Sequence, residues 1–257
     1  MKLLIVRGVK MSVRDRIIAG LDVDDSRKLK ELVVELGEEV SMFKIGLGLS
    51  TVYGAPGIIK LIQAHGNDVF FDGKFADTPA IVEKAVAGLT DLKVRMISVS
   101  CLGGMKMMNV AKKTACRKAK YVSERPVMLG ATILSSLNRR DLADFGFSMS
   151  KITVRDVAVR LAIMAREAGL DGVVTSPQDI LGIRNACGPD FKILAQMVRP
   201  DWAEPENSER VALTPSQAIE AGADWVVVGR PVYDPPKQIG TSLEAIRSIA
   251  REISDVL

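Results

Sequence analysis

One histidine, His65, stands in a chain of 257 residues, so any Ser-His-Asp or Cys-His mechanism would rest on that residue alone. Cysteine is nearly as scarce. Cys101, Cys116 and Cys187 are scattered singly, with no C-x-x-C spacing from which a local His/Cys zinc site could be assembled. No apolar run approaches the roughly 18 residues that a membrane span needs, and Met1 to Lys10 is too short, with too brief an apolar part, for a secretory signal. Charge of one sign is also lacking: 35 basic against 31 acidic residues leave +4, too small and dispersed for a nucleic-acid partner. Three unpatterned cysteines suit a reducing compartment, so the expected location is the cytoplasm. What these absences leave is chemistry run on carboxylates, lysines or arginines.

The composition is that of an ordinary folded protein, 47% hydrophobic and 26% charged, and the length is enough to bury a full core. The densest basic stretch carries Lys112, Lys113, Arg117, Lys118 and Lys120 at helical spacing. That spacing predicts a solvated helix face, with a patch for phosphate or acidic partners as the alternative.

Short apolar runs recur, each followed by a longer stretch of helical periodicity. They cover residues 16–21, 41–45, 68–71, 96–99, 127–134, 172–174, 191–194 and 225–228. Eight such alternations predict an α/β fold of the (β/α)8 TIM-barrel type, with a doubly wound open sheet as the structural alternative. There is no linker-like shift in composition. Residues 11–257 are expected to form one barrel domain, with 1–10 as an N-terminal extension. Thr78 is expected to cap the helix that Pro79 opens, and His65 to cap the end of the helix before strand three, at the bottom of the barrel.

In such a barrel the active residues lie at the C-terminal ends of the strands. Strand one ends in Asp22, strand two carries Lys44 in an apolar run, and strand three leads into Asp72-Gly73-Lys74-Phe75-Ala76-Asp77. Strand five is expected to end in Ser135-Ser136 and strand eight in Gly229-Arg230. In extended chain Asp72 and Lys74 project to one side, and Gly73 leaves space and permits an unusual backbone angle. Two carboxylates, Asp72 and Asp77, around one ammonium suit delivery of a proton to a carbanionic carbon; a salt-bridge cluster closing the rim is the structural alternative. Lys44 needs a carboxylate, and Asp22 or Asp72 can supply it. Gly229 would let a phosphate approach the backbone and Arg230 would grip it. The stretch from Val198-Arg199-Pro200 to Thr214, with Trp202, Glu204, Pro205, Glu206 and Arg210, has the length of a lid over a substrate or of an ordinary surface loop.

With these positions in place, the chain resembles the orotidine 5′-monophosphate decarboxylase family. The resemblance is carried by Gly20-Leu21-Asp22-Val23, Phe43-Lys44-Ile45-Gly46 and the run from Phe71 to Pro79. Further support comes from Leu134-Ser135-Ser136, Val198-Arg199-Pro200, Ala221-Gly222-Ala223-Asp224 and Val228-Gly229-Arg230-Pro231, all in the family's order. It implies cofactor-free and metal-free loss of CO2 from orotidine monophosphate to give uridine monophosphate, the last step of de novo pyrimidine synthesis. Lys74 would protonate C6 of the pyrimidine, with Asp72 beside the departing carboxylate. Lys44 and Asp22 would hold the ribose hydroxyls, and Ser135 would contact the base. Arg230 and the Gly229 backbone would take the phosphate, and Arg199 would join the substrate-binding set. Asp77 would reach into the site of a second subunit, which implies a homodimer.

The chain departs from the family pattern in four places. Ile81 stands for a threonine near the partner's ribose, Ser100 for a histidine after strand four, Gln196-Met197 for Pro-Gly, and Ser208 for a glutamine in the phosphate lid; Gln196 or Gln178 are the candidates to replace that last residue. Two alternatives follow. One is a magnesium-dependent sugar-phosphate decarboxylase or hexulose-phosphate synthase, which would place glutamate where Lys44 stands. The other is a non-catalytic phosphate-binding barrel.

Overall fold

A computed structural model describes residues 11–203 and 212–257. Eight parallel strands close into a barrel in sequence order: β1 (Ile17–Leu21), β2 (Met42–Gly46), β3 (Asp68–Phe75), β4 (Met96–Ser100), β5 (Val127–Ala131), β6 (Gly172–Thr175), β7 (Lys192–Ala195) and β8 (Trp225–Val228). Closure is made by β1 against β8, with Ile17 opposite Val226 and Ala19 opposite Val228. The alternation of strand and helix therefore resolves as the barrel and not as the open sheet.

Two apolar layers follow from the two-residue period of the strands. Ile17, Ala19, Phe43, Ile45, Val69 and Phe71 face outward into the core shared with the helices. Ile18, Met42, Phe70, Met96, Leu129, Val174, Leu194 and Val227 face inward and fill the barrel. Two residues further along each strand, the same parity brings Gly20, Lys44, Asp72, Ser98, Ala131, Ser176, Gln196 and Gly229 onto the layer above. The barrel thus has an apolar floor with polar side chains standing on it, toward the C-terminal ends of the strands.

The helices follow local sequence. Asp25 caps Ser26–Leu36, accepting from the Arg27 N–H at 2.8 Å, and the helix buries Leu29, Leu32, Val33 and Leu36. Thr241 and Glu244 form a capping box at the start of Ser242–Ser254. Thr78 occupies the cap position before Pro79–Asp91, but its side chain makes no capping bond; its N–H instead donates to Asp77 Oδ1. His65 is the C-terminal cap of Ala55–Ala64, with Nδ1 2.9 Å from the Leu61 carbonyl oxygen. The residues after β2 form a further helix, Leu47–Tyr53, that breaks at Gly54 (φ 76°). Of the basic stretch, Lys113, Arg117 and Lys118 form an exposed face of Gly104–Lys118, with Lys118 paired to Asp91 at 2.9 Å; Lys112 on the same helix is half-buried and paired to Asp171 at 2.6 Å, and Lys120 lies just beyond the helix. Among the described residues no helix is long and apolar enough to cross a membrane.

Candidate active site

The sequence DGK at the end of β3 does not stay in plain extended form. Phe71 pairs with Ile97 and Phe75 with Val99, so four steps on β3 match two on β4 and the strand bulges between them. The unusual backbone angle falls on Lys74 (φ 44°) and not on Gly73. Gly73 has a packing role instead. The rings of Phe71 and Phe75 stack with centroids 5.7 Å apart, and a Cβ on Gly73 would come within 2.8 Å of both. The bulge turns the Lys74 side chain back onto Asp72, and the two form an ion pair.

Asp72 is buried, its side chain only 1% exposed. Its carboxylate accepts on both oxygens: Ser98 Oγ–H donates to Oδ1 at 2.7 Å and Gln196 Nε2 donates to Oδ2 at 2.8 Å, alongside the Lys74 ammonium. Ser98 also accepts the backbone N–H of Lys74 at 3.0 Å, so one hydroxyl fixes both members of the pair. Burial by itself pushes the Asp72 carboxyl up. The positive charges of Lys74 and Lys44 and the hydrogen bonds from Lys74 and Ser98 outweigh it and hold the carboxyl below its ordinary value. An ionised carboxylate is therefore maintained in a nearly dry position.

Lys44 finds the carboxylate its burial requires in Asp22, at 2.8 Å, while its charge is also felt by Asp72. Its side chain is 11% exposed against 55% for Asp22, so the pair spans from barrel interior to rim. Gly20, between them, lies close to Gly229 and the Lys44 stem: a Cβ there would be 3.3 Å from the Gly229 Cα.

Two openings flank this charge array. One, of about 220 Å³, is lined by Lys74, Ile133, Ser135, Ser136, Thr175 and Gln196. The other, of about 200 Å³, is bounded by Arg199, Arg230, Pro231 and Asp234. Mixed apolar and polar walls on one side and two guanidinium groups on the other suit a flat ring carrying an anionic tail.

The structure brings Asp22, Lys44, Asp72 and Lys74 into one array, puts Ser135 on the first opening, and puts Arg199 and Arg230 on the second. Gly229 precedes Arg230–Tyr233, beside Gly20. Two expectations need correction. Strand five ends at Ala131, so Ser135 and Ser136 lie in the loop beyond it and not at the strand end. Asp77 does not join Asp72 around the lysine within one chain: it is exposed, and its carboxylate accepts the Thr78 N–H. Ser100 caps a short turn, accepting the Leu102 N–H at 3.2 Å. Of the expected lid, Trp202 packs against the core, whereas Glu204, Pro205, Glu206, Ser208 and Arg210 lie outside the described residues.

Ser98 and the amide of Gln196 as Asp72 donors were missed from sequence. The available signal was parity: each lies two residues beyond an inward-facing apolar residue, Met96 and Leu194. The cysteines are free, with Cys101 and Cys187 buried, and burial pushes the Cys101 thiol up to about 12. Among the described residues no three His, Cys, Asp or Glu side chains converge as a metal-binding group.

Similarity to known proteins agrees with this geometry. A protein from Syntrophotalea carbinolica named orotidine 5′-phosphate decarboxylase is 38% identical over 247 residues, covering 95% of this chain and 99% of its own. One of the same name from Moorella thermoacetica is 38% identical over 250 residues, 96% of each chain. The crystal structure of orotidine 5′-phosphate decarboxylase from Lactobacillus acidophilus superposes with a TM-score of 0.77 at 27% identity, covering 93% of this chain and 99% of that one. Residues 15–244 match the Orotidine 5′-phosphate decarboxylase / HUMPS family, and the chain belongs to that family.

Proposed function

We propose that this protein decarboxylates orotidine 5′-monophosphate to uridine 5′-monophosphate, in pyrimidine synthesis, with its own side chains as the only catalysts. The observation that carries this is a buried carboxylate held ionised against a lysine ammonium beside a ring-sized opening. The phosphate binds in the opening bounded by Arg199 and Arg230, with the Gly229 backbone, and Lys44 and Asp22 take the ribose hydroxyls. The base lies against Ser135, with its carboxylate beside Asp72. The C6–carboxylate bond breaks, CO2 departs, and the electron pair remains on C6. The Lys74 ammonium gives its proton to that carbon and is left as an amine, which solvent reprotonates. Binding of the remote phosphate supplies energy that is used at the reacting carbon.

The working unit in this proposal is a homodimer in the cytoplasm. Exposed Asp77 lies one helical turn from exposed Ile81, and Leu102 and Met105 after β4 are also exposed. An apolar rim carrying an exposed carboxylate with an oxygen to spare suits a surface that a second copy covers, with Asp77 directed at the neighbour's lysine. Release of CO2 from orotidine monophosphate, measured with and without chelator, tests the activity. No turnover rejects the proposal; turnover abolished by chelator favours the magnesium-dependent sister enzymes, against which Lys44 already stands. For the shared site, K74A and D77A chains, each defective alone, are expected to regain activity on mixing, because a mixed dimer contains one intact site. Unchanged inactivity on mixing would place Asp77 outside the partner's site.

A further inference from the structure

Gln196 stands where the family pattern has proline; by sequence it is a candidate to replace the lid glutamine, but its amide nitrogen is on Asp72. It follows Ala195, the last residue of β7, and points inward, two residues past buried Leu194. The next residue, Met197, has φ 64°, a left-handed conformation that a side chain rarely adopts, so the backbone here is held in an unfavourable form. The glutamine side chain reaches across the barrel to Asp72, 124 positions away in the sequence, and donates from Nε2 to Oδ2 at 2.8 Å. An ionised carboxylate only accepts, so the amide is fixed with its nitrogen toward Asp72.

We propose that Gln196 is a positioning residue for Asp72, holding the carboxylate in place and ionised while Lys74 is without its proton. The inference rests on the decarboxylase reading above. The groups facing Asp72 are the Lys74 ammonium on its own strand, Lys44 on β2 (itself paired to Asp22), Ser98 on β4 and Gln196 on β7. Of these Lys74 is the adjacent cation, and it becomes neutral on protonating the substrate. At that moment a buried carboxylate loses its nearest counter-charge and keeps beside it only neutral donors, the lysine amine, Ser98 and Gln196, of which the last two do not titrate. Ser98 serves Oδ1, and Gln196 serves Oδ2, the oxygen whose cationic partner has just become neutral. Without it, Oδ2 would face either an unpaired charge or uptake of a proton from the lysine's own supply.

The test compares wild type with Q196M, which keeps length and removes the donor, and Q196E, which replaces the donor with an acceptor. Q196M is expected to lower kcat about tenfold, the loss of one charge-assisted hydrogen bond. The acid limb of the kcat profile is expected to move to higher pH, since Asp72 loses a donor that favours its ionised form. Q196E should be slower than Q196M at neutral pH and recover as the pH falls and the new carboxyl takes up a proton. A merely structural glutamine would lower stability and leave the pH limb in place; an unmoved limb with unchanged kcat in Q196M overturns the proposal. Urea unfolding of wild type and Q196M from pH 7 to 3, without substrate, supplies a second readout. The expected stability difference shrinks as Asp72 protonates, and a constant difference counts against the proposal. If wild type fails to turn over orotidine monophosphate, the decarboxylase reading falls, while the unfolding comparison still decides what Gln196 does to Asp72.

Discussion

Among the described residues, Asp72 at the top of the barrel and Asp224 at the bottom each gather several donors, and the two clusters are built from the same materials to different ends. At the bottom Asp224, 14% exposed, accepts from Arg184 at 3.0 Å, Lys192 at 2.9 Å and the Ile193 N–H at 2.9 Å. Arg184 in turn donates to the carbonyls of Gly188, Pro189, Phe191 and Gly222, so its guanidinium is fully engaged. At the top Asp72 is also saturated, but its cation is not. Among the described residues the Lys74 ammonium has Asp72 as its one acceptor, sits on a left-handed backbone, and borders an opening. A network in which every donor is used staples the chain. One that leaves a cation with unused donors beside a cavity keeps a proton available for something not yet bound.

The contrast is broken most directly at Lys74. K74A should lower decarboxylation by roughly a thousandfold or more, the upper range for a general acid, while retaining uridine monophosphate binding by titration; survival of both would free Lys74 of its assigned role. At the other end, D224A should cost about 2 kcal/mol of unfolding free energy in urea, because two part-buried cations lose their shared carboxylate and the Ile193 N–H loses its acceptor. Folded D224A at low temperature should keep near-wild-type kcat. If it instead loses activity while remaining stable, the division between staple and site fails.

A smaller effect separates the clusters by pH. The Asp72 carboxyl lies lower in the folded chain than its ordinary value of 3.8, so its contribution to stability is complete above that value and is lost as the pH falls through the folded one. Stability of the wild type should therefore fall more steeply below about pH 4 than that of D72N, by a fraction of the D224A loss; parallel curves would mean that Asp72 gains nothing from its neighbours. Smallest of all, K112M removes the half-buried pair with Asp171, whose carboxylate keeps the Met128 N–H, and should change stability by no more than about 1 kcal/mol, with no effect on turnover.

The barrel and the outline of its site were legible in the sequence because both depend on short-range signals. Eight apolar runs mark the strands, and Asp22, Lys44, Asp72 and Lys74 stand out as charges where apolar residues are expected. Less was legible where pairing between distant strands decides. The bulge that swings Lys74 onto Asp72 is a mismatch between β3 and β4, and no single strand reveals it. Gln196 and Ser98 look like ordinary polar residues after apolar ones until closure sets β7 and β4 beside β3's carboxylate. Asp77 lies in the bend before the helix that Pro79 opens, and spacing alone cannot show that its carboxylate turns to the Thr78 N–H and away from Lys74. For Ser135, the run of apolar letters continued past the end of the pairing with β4 and β6.

The apolar floor beneath the charged layer has a consequence for traffic. Ile18, Phe70, Leu129 and Leu194 are fully buried across the barrel interior, with Met11 packed against the same layer. Water cannot reach Lys74 from below. In the proposed reaction, product, carbon dioxide and the replacement proton would all use the upper mouth, where Lys74 borders the opening, so every arrival and departure at the lysine shares one doorway.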